Sequence, residues 1–453
     1  MKRVLVLVLT AACNNSGVVF DGRDGGVPAG ACGLAAPAFC EQFETPSPGG
    51  RGGDLDETRF SFARWGHQVQ YSWERIPAHT YTDGHLFPAS FCGAPFSGLL
   101  PDADVRACAG TGVDGSVSQQ LNEAFDDQGA FGLNSMRIRQ PFDFAGRTGV
   151  VSWDVDGKIN PLNLGHGWWF EVWITEDPSP LPHDHIDSVS SNPRRGVGFS
   201  FTDGADCPED QTHWQNGISG IHVIDDYASV KDIAFFAIEE LADRCFQVAD
   251  AHLNHFELRL SQDRAEIWAS DYDRPSTLKL RAAIPNLGLK FSRGYVHFQH
   301  GQFNAAQDGN VTPSQTFRWD NLGFDGPILP LPRAYDVPDN GSPGHGNAVL
   351  LGWSLAPSQS LTVHNVDLGG ATSATLNFAL NGGPNDTLTY RLNGNAPHTF
   401  TYPDRPNTTG GVHGFSAPVP LSDLVLGDNT IDFTITTTST QPTDIGDIDL
   451  TVE

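Results

Sequence analysis

Almost every apolar run in this chain alternates one hydrophobic residue with one polar residue, and that period restricts the fold more than any other feature. Successive side chains of a strand point to opposite faces, so a period of two marks strands with one apolar side. In MRIRQPF, Met136 and Ile138 alternate with Arg137 and Arg139; in VVSWDVDG, Val151, Trp153 and Val155 alternate with Ser152, Asp154 and Asp156. HFELRLSQDRAEIWASD sets Phe256, Leu258 and Leu260 on one face, turns near Gln262 and Asp263, and returns as a second strand. YVHFQHGQF opposes Val296 and Phe298 to His297 and Gln299. Strands of this kind are expected in antiparallel sheets stacked on a shared core. The 49 glycines and 31 prolines supply many turns and argue against long helices. One run, SVKDIAFFAIEELADR (229–244), fits a short helix and a buried strand equally well.

A chain of 453 residues exceeds what one core serves. The clearest break is Pro327-Ile-Leu-Pro-Leu-Pro332. Beyond it SLTVHNVDL, ATLNFAL, TLTYRLNG, NTIDFTITTT and DIDLTV alternate again, with abundant Thr and Asn and an Asn393-Gly394 turn, which predicts a small β-sandwich. The expected organisation is a signal peptide over 1–12, a polar Gly-rich tether over 13–31, an all-β domain over 32–327, a Pro-rich linker over 328–334 and a C-terminal β-sandwich over 335–453.

The first residues, MKRVLVLVLTAAC, join two basic residues to an apolar run from Val4 to Leu9 and two alanines before Cys13. That run is shorter than the roughly 20 residues that cross a bilayer and reads as an export signal. Thr10-Ala11-Ala12-Cys13 resembles a bacterial lipobox, with Thr10 where Leu is usual; the resemblance implies lipidation of Cys13 and an exported protein held at the cell envelope, touching membrane only through that lipid. Seven cysteines are present, and lipidation of Cys13 leaves an even number for disulfides. Six cysteines allow about 15 connectivities, of which sequential pairing, Cys32–Cys40, Cys92–Cys108 and Cys207–Cys245, is expected because it closes short local loops. A formal charge of −27 repels nucleic acid and anionic lipid, leaving neutral glycans or basic partners.

Residues 39–65, FCEQFETPSPGGRGGDLDETRFSFARW, with Leu55, Asp56, Arg59 and Phe60 in a Leu-Asp-x-x-Arg-Phe turn, and the closing segment TFRWDNLGFDGP (316–327), resemble the first and last strands of concanavalin A-like jelly rolls of the laminarinase-type glycoside hydrolases. The resemblance implies a jelly-roll sandwich over residues 32–327, a polysaccharide partner, no required cofactor, and a structural calcium held by Glu41 and Asp320 where the first and last strands meet. Laminarinase-type enzymes carry Glu-x-Asp-x-x-Glu on a central strand. Here the string is Glu171-Val-Trp173-Ile-Thr-Glu176, so both glutamates match and Trp173 replaces the assisting Asp.

On the strand WWFEVWITED, Phe170, Val172 and Ile174 are expected to face the core, and Trp169, Glu171, Trp173 and Thr175 the other side. Two indoles beside a carboxylate make a glycan platform, since aromatic faces stack on sugar rings and carboxylates accept from hydroxyls. His297 and Gln299 are further candidates for the same groove, with Arg137 and Arg139 on polar faces nearby. Glu176 lies an odd step from Glu171. A bulge is needed to bring the two carboxyls to the roughly 5–5.5 Å of a retaining glycosidase. The loop 176–188, with His183, Asp184, His185 and Asp187, carries metal-ligand types without a zinc spacing. Three functions fit these residues: glycan binding in an aromatic groove, a divergent glycoside hydrolase using Glu171 and Glu176, and a structural or adhesive envelope protein whose groove is filled. A bulge between Thr175 and Glu176 with an open cleft favours the second, an open groove without the carboxylate pair favours the first, and a covered Trp173 favours the third.

Overall fold

The computed structural model describes residues 24–26, 30–42, 58–68, 90–91, 94–95, 105–108, 118–123, 130–158, 168–181, 192–203, 214–234, 245–248, 254–271, 274–303, 315–337, 358–404, 411–436 and 444–453. Among the described residues nearly every element is a strand, apart from short 3-10 turns at Ala31–Gly33 and Leu421–Asp423, and the strand pairings are antiparallel. Two nine-stranded sheets form a jelly-roll-like sandwich. One sheet runs through Arg274–Pro285, Arg264–Asp271, Asn254–Leu260, Gly149–Lys158 and Gln315–Asp325, with Pro37–Glu41 added on the last of these. Its partner runs through Ala228–Ala234, Trp214–Asp225, Arg195–Asp203, Trp168–Thr175, Arg293–Phe303, Ala130–Ile138 and Phe60–Gln68. Ala228–Ala234 is a strand, so the ambiguous run begins extended; its remainder lies outside the described residues.

The inward residues of both sheets meet in one aromatic core. Trp153 of the first sheet stacks on Phe256 at 5.3 Å and meets Phe201 and Phe298 of the second edge-on. Phe170 stacks on Phe201 at 4.5 Å and turns its edge to Trp319 across the sandwich. Phe170, Val172 and Ile174 are all in this core, 0–2 % exposed. Each such side chain contributes about 1.5–3 kcal/mol by leaving water, which makes the alternation an energetic instruction about which face turns inward. Against the outer face of the first sheet lies the short turn Ala31–Gly33, tied to the strand Pro37–Glu41 by the Cys32–Cys40 disulfide and to the sheet by Ser152 Oγ donating to the Cys32 carbonyl at 2.7 Å. The pairings Cys92–Cys108 and Cys207–Cys245, and the lipid acceptor Cys13, rest on side chains outside the described residues.

A second sandwich follows, two four-stranded sheets over the core of Leu376, Phe378, Phe415, Phe433 and Leu450. Its first strand is Arg333–Asp336, which pairs with Asp444–Val452, so the Pro-rich segment passes straight into the second domain. The two sandwiches are joined by more than the linker. Tyr227, at the tip of the hairpin between Trp214–Asp225 and Ala228–Ala234, lies in the second domain's core cluster, its ring 5.9 Å from Phe415.

Candidate functional site

The second sheet of the first sandwich carries, on the face away from the core, Ser61, Ser135, Arg137, Glu171, Trp173, Thr175, Ser200, His297 and Gln299, all buried. The register is unbroken along Trp168–Thr175, which pairs Trp173 with His297 and Gly198, and Glu171 with Gln299 and Ser200. Each side chain is held by its neighbours. Glu171 accepts from Trp173 Nε1 at 2.8 Å and from Ser200 Oγ at 3.0 Å. Trp173 lies over Gly198, where a Cβ would stand 2.3 Å from the indole, beneath His222 stacked at 6.0 Å and against Leu181 and Ile224.

A strap, Asp177–Leu181, lies along this face as its occupant. Three of its carbonyls are taken by sheet side chains: Thr175 Oγ1 donates to Asp177 at 2.8 Å, Gln299 Nε2 to Leu181 at 2.8 Å, and Arg137 to Pro178. Thr175 gives its proton to Asp177, so His297 Nε2 donates to Thr175 Oγ1 at 2.9 Å. Burial, with the Arg137 charge beside it, holds His297 well below the usual imidazole range.

Above the strap sits the second sandwich. Asp449 accepts from Arg139 at 3.1 Å, Arg137 at 3.4 Å and Ser61 at 3.0 Å. The Tyr295 hydroxyl donates to Glu453, and burial beside that carboxylate pushes its pKa up to about 12. Gly414 fits against the strap so closely that a Cβ there would meet the Pro180 carbonyl at 1.7 Å.

Trp173, expected to line an open groove, is therefore 6 % exposed and part of a satellite core. Glu171, His297 and Gln299 do share its face, but they are spent on internal hydrogen bonds. Glu176 is not brought to Glu171. No bulge intervenes: its N–H continues the ladder to the Arg195 carbonyl at 3.0 Å and its carboxylate is held by Arg195 at 3.1 Å. The two acids fall on opposite sides of the sheet, because five positions is an odd step along an unbroken strand.

Glu41 and Asp320, the expected calcium ligands, are not register partners. Glu41 is ion-paired with Arg59 and registers with Leu322 rather than Asp320, while Asp320 is 2 % exposed and accepts from the Asn321 N–H at 2.7 Å. Among the described residues no group of three His, Cys, Asp or Glu could hold a metal ion. The His183–Asp187 loop lies outside them.

At the other end of the same sheet the register makes one row of Trp65, Leu133, Gly301, Trp169 and Thr202. These positions belong to the face of Glu171, two residues along each strand. Trp65 and Trp169 stand three strands apart, about 14 Å at the usual strand spacing, with a glycine beside Trp169. The side chains of Trp65 and Trp169 are outside the described residues. Trp65 does not emerge from its own strand's sequence as a site residue; only the pairing with Ala130–Ile138 and Arg293–Phe303 puts it in the row of Trp169.

No protein-family model matches the sequence, and no curated protein matches it. Solved structures similar to it include lectin II from Ulex europaeus (13 % identity, 49 % of this chain and 90 % of that one, TM-score 0.30). Others are the VIP36 exoplasmic/lumenal domain in a Ca2+/mannose-bound form (12 %, 51 % and 83 %, 0.30) and a beta-1,3-glucanase from Mycobacterium marinum (10 %, 64 % and 98 %, 0.34).

Proposed function

We propose that this chain is an exported polysaccharide-binding protein, held at the cell envelope by lipid on Cys13, that takes its ligand across the row of Trp65 and Trp169 and does not hydrolyse it. The covered Trp173 is the outcome that favours a filled groove around Glu171, so the reading rests on a different part of the sheet, that row: two tryptophan positions on one sheet face, three strands apart, with Gly301 next to Trp169. Spaced aromatic positions on a sheet suit a polysaccharide, because indole faces stack on successive sugar rings while backbone at a glycine allows close approach. The separation of Glu171 from Glu176 speaks against hydrolysis, which needs both carboxyls at one glycosidic oxygen.

Binding of the mature protein to a panel of soluble neutral oligosaccharides tests this. Trp65→Ala and Trp169→Ala are each expected to lose about 0.5–1.5 kcal/mol of affinity, a several-fold effect, with no reducing ends released by any variant. Unchanged affinity in both folded variants, or release of oligosaccharides that Glu171→Gln abolishes, overturns the reading.

A further inference from the structure

The second sandwich presents one sheet face that nothing described above uses. In the sheet of Ser358–Val366, Gly427–Thr436, Thr387–Leu392 and His398–Thr401, register makes a complete row of Ser358, Thr434, Thr389 and Thr399 across all four strands. Thr436, Thr387 and Thr401 form the row on one side of it; Ser360, Asp432 and Arg391 form the row on the other, followed by Thr362 and Thr430. Ten of these twelve positions carry a hydroxyl, and all twelve are exposed or half-buried while their neighbours Leu361, Leu388, Tyr390, Ile431 and Phe433 fill the core. None of the ten hydroxyls is hydrogen-bonded to another described residue.

Two properties of the face define its partner. The first is charge: on a chain of net −27 these rows hold one acid and one base, neighbours in register, so the face is neutral where the molecule as a whole is not. The second is chemistry. Each hydroxyl donates and accepts, as sugar hydroxyls do, and threonine is stiff at χ1, so the array loses little rotamer freedom on contact. Hydroxyls repeat at about 4.8 Å across the strands and about 6.8 Å along them. With no aromatic ring in the rows, a single soluble sugar gains little; many weak hydrogen bonds must form together, which an extended surface of packed chains permits and a short oligosaccharide does not.

We infer that this face docks the hydroxylated surface of a neutral, insoluble polysaccharide. The inference rests on the reading of the chain as a polysaccharide binder but uses a surface separate from the tryptophan row. Retention of the full mature chain on microcrystalline cellulose, insoluble chitin and insoluble β-1,3-glucan is the test, with alginate beads as the acidic control. Thr389→Val, Thr399→Val and Thr434→Val together keep shape and strand propensity and remove three hydroxyls of the complete row. This triple variant is expected to cut retention on the preferred neutral particle about five-fold or more, while the matching triple Ser variant stays within about two-fold of wild type. Equal retention of the Val triple and wild type overturns the proposal, as does failure of wild type to bind any of the three neutral particles or stronger retention on alginate. The Val triple is expected to keep the soluble-oligosaccharide affinity that Trp65→Ala and Trp169→Ala lose, so failure of the tryptophan reading and failure of this one are told apart.

Discussion

Trp173 shows how one residue changes role with its surroundings. The indole is held flat over Gly198, its N–H is given to Glu171, and Leu181 covers it. That arrangement uses the same amphipathic chemistry a sugar platform uses, turned inward. It also fixes Gly198 as a residue chosen for absence of a side chain, since a Cβ there would sit 2.3 Å from the ring. Gly198→Ala is expected to displace Trp173 and to destabilise the protein by about 1–3 kcal/mol, the usual cost of overpacking a filled site. Chemical denaturation of the variant checks it, and an unchanged midpoint would mean that the indole has room to move.

At the scale of elements, the strap Asp177–Leu181 decides what the sheet can do. A strand followed by a polar, proline-rich stretch ordinarily leaves its outer face to solvent. Here three sheet side chains hold the strap's carbonyls, and His297 is trapped beneath as a neutral imidazole. Its folded-state pKa lies below that of the unfolded chain, so protons bind preferentially to the unfolded state as pH falls. The stability His297 contributes is complete above the ordinary histidine pKa near 6.5 and is lost as pH falls from there toward the folded value. Burial acts to lower the pKa of His255, but the hydrogen bond and attraction to Asp154 together with the Glu257 charge raise it above the usual value, so it has the opposite sign: its contribution is present below pH 6.5 and is lost as pH rises through the folded value. Replacing His297 by Gln is therefore expected to flatten the fall in unfolding free energy between about pH 7 and pH 5. An equally steep fall in the variant would place that pH dependence elsewhere.

For the whole molecule, the consequence is that the two sandwiches act as one unit. Asp449 of the second domain is the shared acceptor for Arg137 and Arg139 of the first, both side chains at least 93 % buried. Removing one partner of a buried charge cluster costs more than the cluster contributes, because the charges left behind have lost solvent as well. Asp449→Ala is expected to lower stability by about 3–5 kcal/mol and to open the junction near Pro178–Leu181 to limited proteolysis. Gly414→Ala, which drives a methyl into the Pro180 carbonyl, tests the same junction by steric means; cleavage at the strap unchanged in both variants would show the domains to be independent. At the level of the cell, Cys13→Ser is expected to move the protein from the membrane fraction to the soluble exported fraction, and retention in membranes after a high-salt wash would remove lipid from the proposal.

The alternation of Met136 with Arg137, Trp153 with Asp154 and Phe256 with Glu257 determined by itself an all-β first domain and which residues turn inward, and the alternation of Leu376 with Asn377 and Ile431 with Asp432 a second sandwich after the prolines, because period and burial are local properties of a strand. The placing of Phe170, Val172 and Ile174 against Glu171 and Trp173 was legible for the same reason. What covers a face is not local. Whether Trp173 meets solvent depended on Leu181, His222 and a glycine twenty-five positions away in sequence, and on a second domain whose Asp449 reaches Arg137. The cross-strand rows, Trp65 with Trp169 and Thr389 with Thr434, likewise exist only once register joins distant strands. Hydrogen-bond register and domain docking are set by the summed packing of the chain, so they carry no signature in any short stretch of it.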